Sequence, residues 1–121
     1  MIPPGVYYGT MKSKTGSPTI EANTWEAFER EVLGAKVPVI VDFWAPWCAP
    51  CRMVAPEIDA IARAKGDAIR VVKVNVDKNR DAAYKYQIAS IPTVALFQGG
   101  ELLHSSIGAK PRRMLEADLK L

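Results

Sequence analysis

The sequence predicts an α/β fold, a central mixed β-sheet flanked by helices in the order β-α-β-α-β-α-β-β-α. Three observations carry that expectation. VPVIVDFWA, Val37 to Ala45, is an almost continuous β-branched and aromatic run, as expected of a central parallel strand covered by helices on both faces. Segments with helical periodicity, start signals and stop signals separate the early strands, as parallel crossovers require. Near the end, TVALFQ, Gly99–Gly100 and ELLHSSI read as an antiparallel hairpin, which makes the sheet mixed.

Taken in order, residues 1–17 hold Pro3, Pro4, Gly5, Gly9 and Gly16 without either periodicity, and read as a flexible N-terminal extension. Met11 is an alternative start. The domain spans 18–121. A short strand over Thr19 to Ala22 precedes a helix with Asn23 as N-cap and Glu26 three residues on. Trp25, Phe28 and Val32 share one face of that helix, and Gly34 is its stop. After the VPVIVDFWA strand, a helix runs from Ala49 to Lys65 and ends at Gly66. Ile58, Ile61 and Lys65 mark one side of it, with Val54 joining the stripe, and Pro56, lacking an N–H, should kink it. A buried strand from Ile69 to Asn75 or Val76 follows, then a short helix over Lys78 to Tyr86 and the hairpin. Pro111 opens the last helix at its first position, with Leu115 and Leu119 packing inward.

The totals narrow the function. A chain of 121 residues is long enough for one domain with its own core. The net charge is +3, and Lys12 and Lys14 account for two of it, leaving the domain near +1. No basic stripe appears, which argues against nucleic acid or an anionic membrane as partner. No apolar run is long enough to span a bilayer, and the first residues lack the features of a signal peptide. A cytosolic monomer is the expectation.

The two cysteines stand together in WAPWCAPC, Trp44 to Cys51. At a helix start, Cys48 and Cys51 lie one turn apart with Cβ atoms about 5–6 Å from each other, so a slightly tightened first turn lets them pair. The two sulfurs differ. Cys48 precedes the helix, where free N–H groups and the dipole favour a thiolate; Cys51 sits a turn inside, less exposed. Cys48 is therefore assigned as the attacking nucleophile and Cys51 as the resolving thiol. A zinc site would need about four ligands, and only His104 remains as a soft candidate. An iron–sulfur cluster fails on the same count, and covalent haem would want His where Arg52 stands. Two inert buried thiols remain as the plain alternative.

Asp42 interrupts the buried strand. It is either an edge residue facing solvent or a buried acid tuned upward to take the Cys51 proton. Lys73, in VVKVNVD, interrupts the next strand and could modulate that carboxylate. Ile91–Pro92 is a plain strand start or a cis peptide facing the disulfide, offering backbone groups to an extended substrate. Trp44 reads as core, Trp47 as a cover over the site or a substrate contact, and His104 as a surface residue. Gly108 gives a partner close access or is simply a turn.

VDFWAPWCAPCRMVAP, KVNVD, SIPT and the terminal IGA together resemble the thioredoxin family, from Pro18 to Leu121. The resemblance implies that Cys48 attacks a target protein disulfide and Cys51 resolves the mixed disulfide. It implies Asp42 as buried acid, Lys73 as its partner, Pro92 as cis, and a docking surface edged by Trp47, Ile91, Pro92 and Gly108. It implies no bound cofactor, with electrons passed from NADPH by a separate thioredoxin reductase. The family usually carries Gly–Pro where this chain has Ala49–Pro50, the dipeptide that tunes the potential. Neither residue places a positive charge beside Cys48, which favours a reductant. WAPWC followed by Arg52 is similar to thioredoxins bearing an extra zinc-binding module, but the cysteines for one are absent, so no metal is expected. The alternatives are a disulfide oxidase or isomerase, and a thioredoxin-fold binding module.

Overall fold

An almost continuous apolar run, buried on both faces, places the second strand at the centre of the sheet, and the rest of the chain is arranged around it. The computed structural model describes residues 18–121, so the expectations for 1–17 and for Met11 lie outside the described residues. In chain order the elements are β1 (Ile20–Glu21), α1 (Trp25–Phe28, continued as a π-helical turn over Glu29–Leu33), β2 (Val39–Trp44) and α2 (Ala49–Lys65). They continue with a 3-10 turn (Gly66–Ala68), β3 (Arg70–Asn75), α3 (Arg80–Lys85), β4 (Thr93–Gln98), β5 (Glu101–Ile107) and α4 (Arg112–Leu119).

The sheet order is β1-β3-β2-β4-β5. β1, β3 and β2 are parallel, whereas β4 runs antiparallel to both β2 and β5. The expected mixed sheet and element order are therefore present. Each strand side has its own core, because side chains alternate across a pleated strand. Val39, Val41 and Phe43 pack with Phe28, Val32, Val72 and Phe97, where the Phe28 ring lies 5.7 Å from that of Phe97, edge to face. Ile40 faces the other way, with Val54, Ile58 and Ile61 of α2, Val94 and Leu96 of β4, and Leu115 and Leu119 of α4. Full burial of one such aromatic or branched side chain contributes about 1.5–3 kcal/mol.

Three local expectations need correction. Thr24, not Asn23, caps α1: its hydroxyl accepts the Ala27 N–H at 3.1 Å. Asn23 is used elsewhere, its Oδ1 accepting the Asn75 N–H at 3.0 Å. Gly34 does end α1, but with φ −88, closing a π turn through its N–H to Glu29 O at 2.8 Å. Closeness is what favours glycine there, since a Cβ would stand 3.2 Å from Arg30 O. Pro111 stands one residue before α4 in extended conformation, φ −61 and ψ 155, and its carbonyl accepts from Met114 and Leu115. α2 runs on through Pro56 to Lys65, and Gly66 ends it at φ 56. β4, β5 and α2 have the expected bounds.

Candidate active site

The first turn of α2 builds the site. Cys48 is the N-cap, with extended backbone (φ −93, ψ 104), followed by Ala49 and Pro50. Proline fits here because the first turn has no intrahelical use for its N–H. Cys48 and Cys51 form a disulfide with their Cα atoms 5.3 Å apart. The Cys51 N–H donates to Cys48 Sγ at 3.2 Å, so this sulfur plays the part that a Ser or Asp oxygen usually plays at a helix start. On reduction, the same N–H and the helix dipole stabilise a Cys48 thiolate.

The expected difference in exposure is not present in the disulfide form. Cys48 and Cys51 are 4% and 3% exposed, because both pack against Ala45, Trp44, Val76 and Ile91. What separates them is their polar surroundings. Cys48 Sγ has the Cys51 N–H and stands 3.8 Å from the Ile91 carbonyl oxygen.

Ile91–Pro92 is a cis peptide. The Pro92 carbonyl accepts the Gly108 N–H at 2.8 Å, and Gly108 has φ 94, a left-handed conformation that favours glycine. Cys48, Ile91, Pro92 and Gly108 are thereby linked in one row. Trp47 stands beside it, 67% exposed, its Nε1–H donating to Asp77 Oδ2 at 3.0 Å. Trp47, Val76, Ile88, Ala89, Ser90 and Ile91 line a shallow cavity of about 170 Å³.

Asp42 lies on the α2 side of the sheet, in register with Lys73 on β3 and Val94 on β4. It is 1% exposed, which sets aside the solvent-edge alternative. Neither carboxylate oxygen has a hydrogen-bond partner among the described residues. Burial pushes its carboxyl up to about 6, Lys73 opposes that rise, and Asp59 and Glu21 add to it. Lys73 is half-buried, with Nζ 5.7 Å from the centre of the Trp44 ring. Trp44 Nε1 is also buried without a hydrogen-bond partner among the described residues. His104 sits on β5 opposite Leu96, three positions along β4 from Thr93, where the sheet meets Pro92. Among the described residues, no three His, Cys, Asp or Glu side chains gather to hold a metal ion.

Sequence reasoning missed three contributors. Asp77 anchors the Trp47 indole, Arg52 Nη1 donates to Pro46 O at 2.7 Å across the cysteine loop, and Asp59 acts on Asp42 from α2. Asp77 lies within the quoted motif KVNVD, but nothing local ties it to an indole thirty residues earlier.

The thioredoxin family model matches residues 19–121. The chain belongs to the thioredoxin family. It is 50% identical to thioredoxin 1 of Nostoc sp. over 97 residues, 80% of this chain and 91% of that protein. With the thioredoxin of Porphyra purpurea the identity is 50% over 93 residues, 77% of this chain and 87% of the other. The crystal structure of Malassezia sympodialis thioredoxin superimposes with a TM-score of 0.76 at 30% identity, covering 84% of this chain and 88% of that one. As in other thioredoxins, the Cys48–Cys51 pair carries dithiol–disulfide exchange, and the activity is that of a thioredoxin-type disulfide reductase. The redox group is the disulfide itself.

Proposed function

We propose that this chain reduces disulfides in other proteins through Cys48 as nucleophile and Cys51 as resolving thiol, with Asp42 as the proton acceptor. The observation that carries the assignment is the helix N–H directed at Cys48 Sγ. In the reduced protein the Cys48 thiolate attacks one sulfur of a target disulfide. A mixed disulfide forms, and the second target sulfur leaves as a thiolate that takes a proton from solvent. Cys51 then gives its proton to the Asp42 carboxylate and attacks Cys48 Sγ, re-forming the intramolecular disulfide and releasing the first target sulfur. Two electrons pass from the dithiol to the target. With its carboxyl near 6, Asp42 is ionised at pH 7 yet basic enough to accept a proton. Lys73 holds that carboxylate in check. An extended target segment docks on Trp47, Ile91, Pro92 and Gly108, with backbone groups of the cis-proline turn pairing to it.

A thioredoxin reductase using NADPH restores the dithiol, and the working setting is a cytoplasmic monomer. No helix among the described residues is long and apolar enough to cross a membrane.

The test uses NADPH, a bacterial thioredoxin reductase and insulin. Cys48→Ser lowers turnover by on the order of a thousandfold or more. Cys51→Ser accumulates a mixed disulfide with insulin, visible on non-reducing gels. Turnover that survives Cys48→Ser, or a mixed disulfide with insulin that accumulates at Cys51 in Cys48→Ser and not at Cys48 in Cys51→Ser, overturns the assignment.

A further inference from the structure

Beyond Gly108 the chain has no regular structure until α4 begins at Arg112, so side chains must hold this part of the proposed docking edge. Two ties do so. On the α2 side, Glu57 Oε1 accepts the Arg112 N–H at 2.8 Å, fastening the start of α4 to the helix that carries the cysteines. On the β5 side, one atom, Asp118 Oδ2, accepts both the Ser106 hydroxyl at 2.7 Å and the Lys110 ammonium at 2.6 Å. Ser106 is buried at the end of β5, two residues before Gly108, and Lys110 follows Gly108 by two. Asp118 therefore clips together the two flanks of the glycine.

A half-exposed ion pair of this kind adds little to global stability. Its geometric effect is larger, because the clip is connected to the disulfide by a short chain of contacts. Gly108 N–H is bound to Pro92 O, Pro92 is joined to Ile91 by the cis peptide, and Ile91 O stands 3.8 Å from Cys48 Sγ.

We infer that Asp118 is a positioning residue: by holding Ser106 and Lys110 on one oxygen it sets the Gly108 backbone against cis Pro92, and so sets the affinity for protein disulfides. This rests on the docking surface proposed above. The disulfide exchange step itself does not pass through Asp118, so a small disulfide that needs no docking edge is reduced independently of it.

The experiment compares KM and kcat for insulin with the rate toward 5,5′-dithiobis(2-nitrobenzoate), for Asp118→Ala, Lys110→Met and the double variant. Asp118→Ala raises KM for insulin on the order of fivefold at nearly constant kcat, while the small disulfide is reduced within about twofold of the parent rate. Lys110→Met leaves α4 and the Ser106–Asp118 bond intact and raises KM in the same direction by a smaller factor, so the result survives if Asp118→Ala folds poorly. The double variant is no worse than Asp118→Ala, because removing Asp118 already removes the Lys110 contact. Asp118→Glu recovers most of the affinity. Trp47→Ala separates the two ideas. If it raises KM and neither clip variant does, the inference about Asp118 is wrong and the docking surface stands. If none of them raises KM, the docking surface is misplaced and the inference falls with it.

Discussion

Two buried polar regions lie a few residues apart and are treated oppositely. Asn75 and Asn79, at the end of β3 and the start of α3, are as inaccessible as Asp42. Their bonding is extensive. Asn79 Nδ2 donates to the Ala22 and Thr24 carbonyls at 3.1 and 3.0 Å, and its Oδ1 caps α3 by accepting the Ala82 N–H. Asn75 Oδ1 accepts from Asp77 N, and Asn75 N–H donates to Asn23 Oδ1. Among the described residues Asp42 has no such partner. A buried polar group with its bonds made welds segments together, whereas one without them is held at a cost that chemistry can use. The asparagine junction belongs to the fold, and in the function proposed above Asp42 belongs to the reaction.

The sharpest way to break that contrast is to remove the junction. Asn79→Ala strands two carbonyls and the Ala82 N–H in the first turn of α3, and lowers stability by about 3–4 kcal/mol, measured by urea denaturation. A loss under about 1 kcal/mol would mean that water replaces the side chain and the two regions are not different in kind.

Asp42→Asn should do the reverse. A carboxyl at about 6 in the folded protein, against 3.8 unfolded, means that the folded state binds protons more readily between those values. Stability therefore falls as pH rises from 3.8 through 6, and above 6 the deficit is about 3 kcal/mol. The oxidised Asn variant is more stable than the parent by about that amount at pH 7, and the gap shrinks below about 1 kcal/mol at pH 4. A gap that is constant with pH would remove the desolvation account. The same variant slows the resolving step, so its mixed disulfide with insulin persists longer at pH 7.

A smaller effect sharpens the fold side. Thr24→Ala removes the cap of α1 and costs about 1 kcal/mol, while Asn23→Ala acts through its distant bond to Asn75 rather than through the helix. Circular dichroism separates them: the first variant frays α1, and the second loosens β3.

These residues also show where the sequence was readable. Patterns that repeat locally gave β4, β5 and α2 with their ends, and the helix-start context placed Cys48 at the cap. Asn23-x-x-Glu26 satisfied the local rule for a cap, but Thr24 took the role because Asn23 is committed to a residue far along the chain. The same limit hid the Trp47–Asp77 bond and the Ser106–Asp118–Lys110 clip, whose members meet only after the sheet has formed. The π turn of α1 was hidden for another reason: adding one residue per turn leaves Phe28 and Val32 on the same face, so the apolar pattern is unchanged. Burial of Asp42 was readable from its uniformly apolar neighbours, but its lack of any partner was not.

The step in register between Leu96 and Phe97, where β4 meets β5, bears on how such molecules coexist at high concentration. β5 is the outermost strand of the sheet on that side, and an irregular ladder bends and twists the strand it borders. Another molecule approaching edge-on finds no straight template to extend, so fibril-like growth through this rim is disfavoured. At the opposite rim, two-residue β1 is too short to offer one.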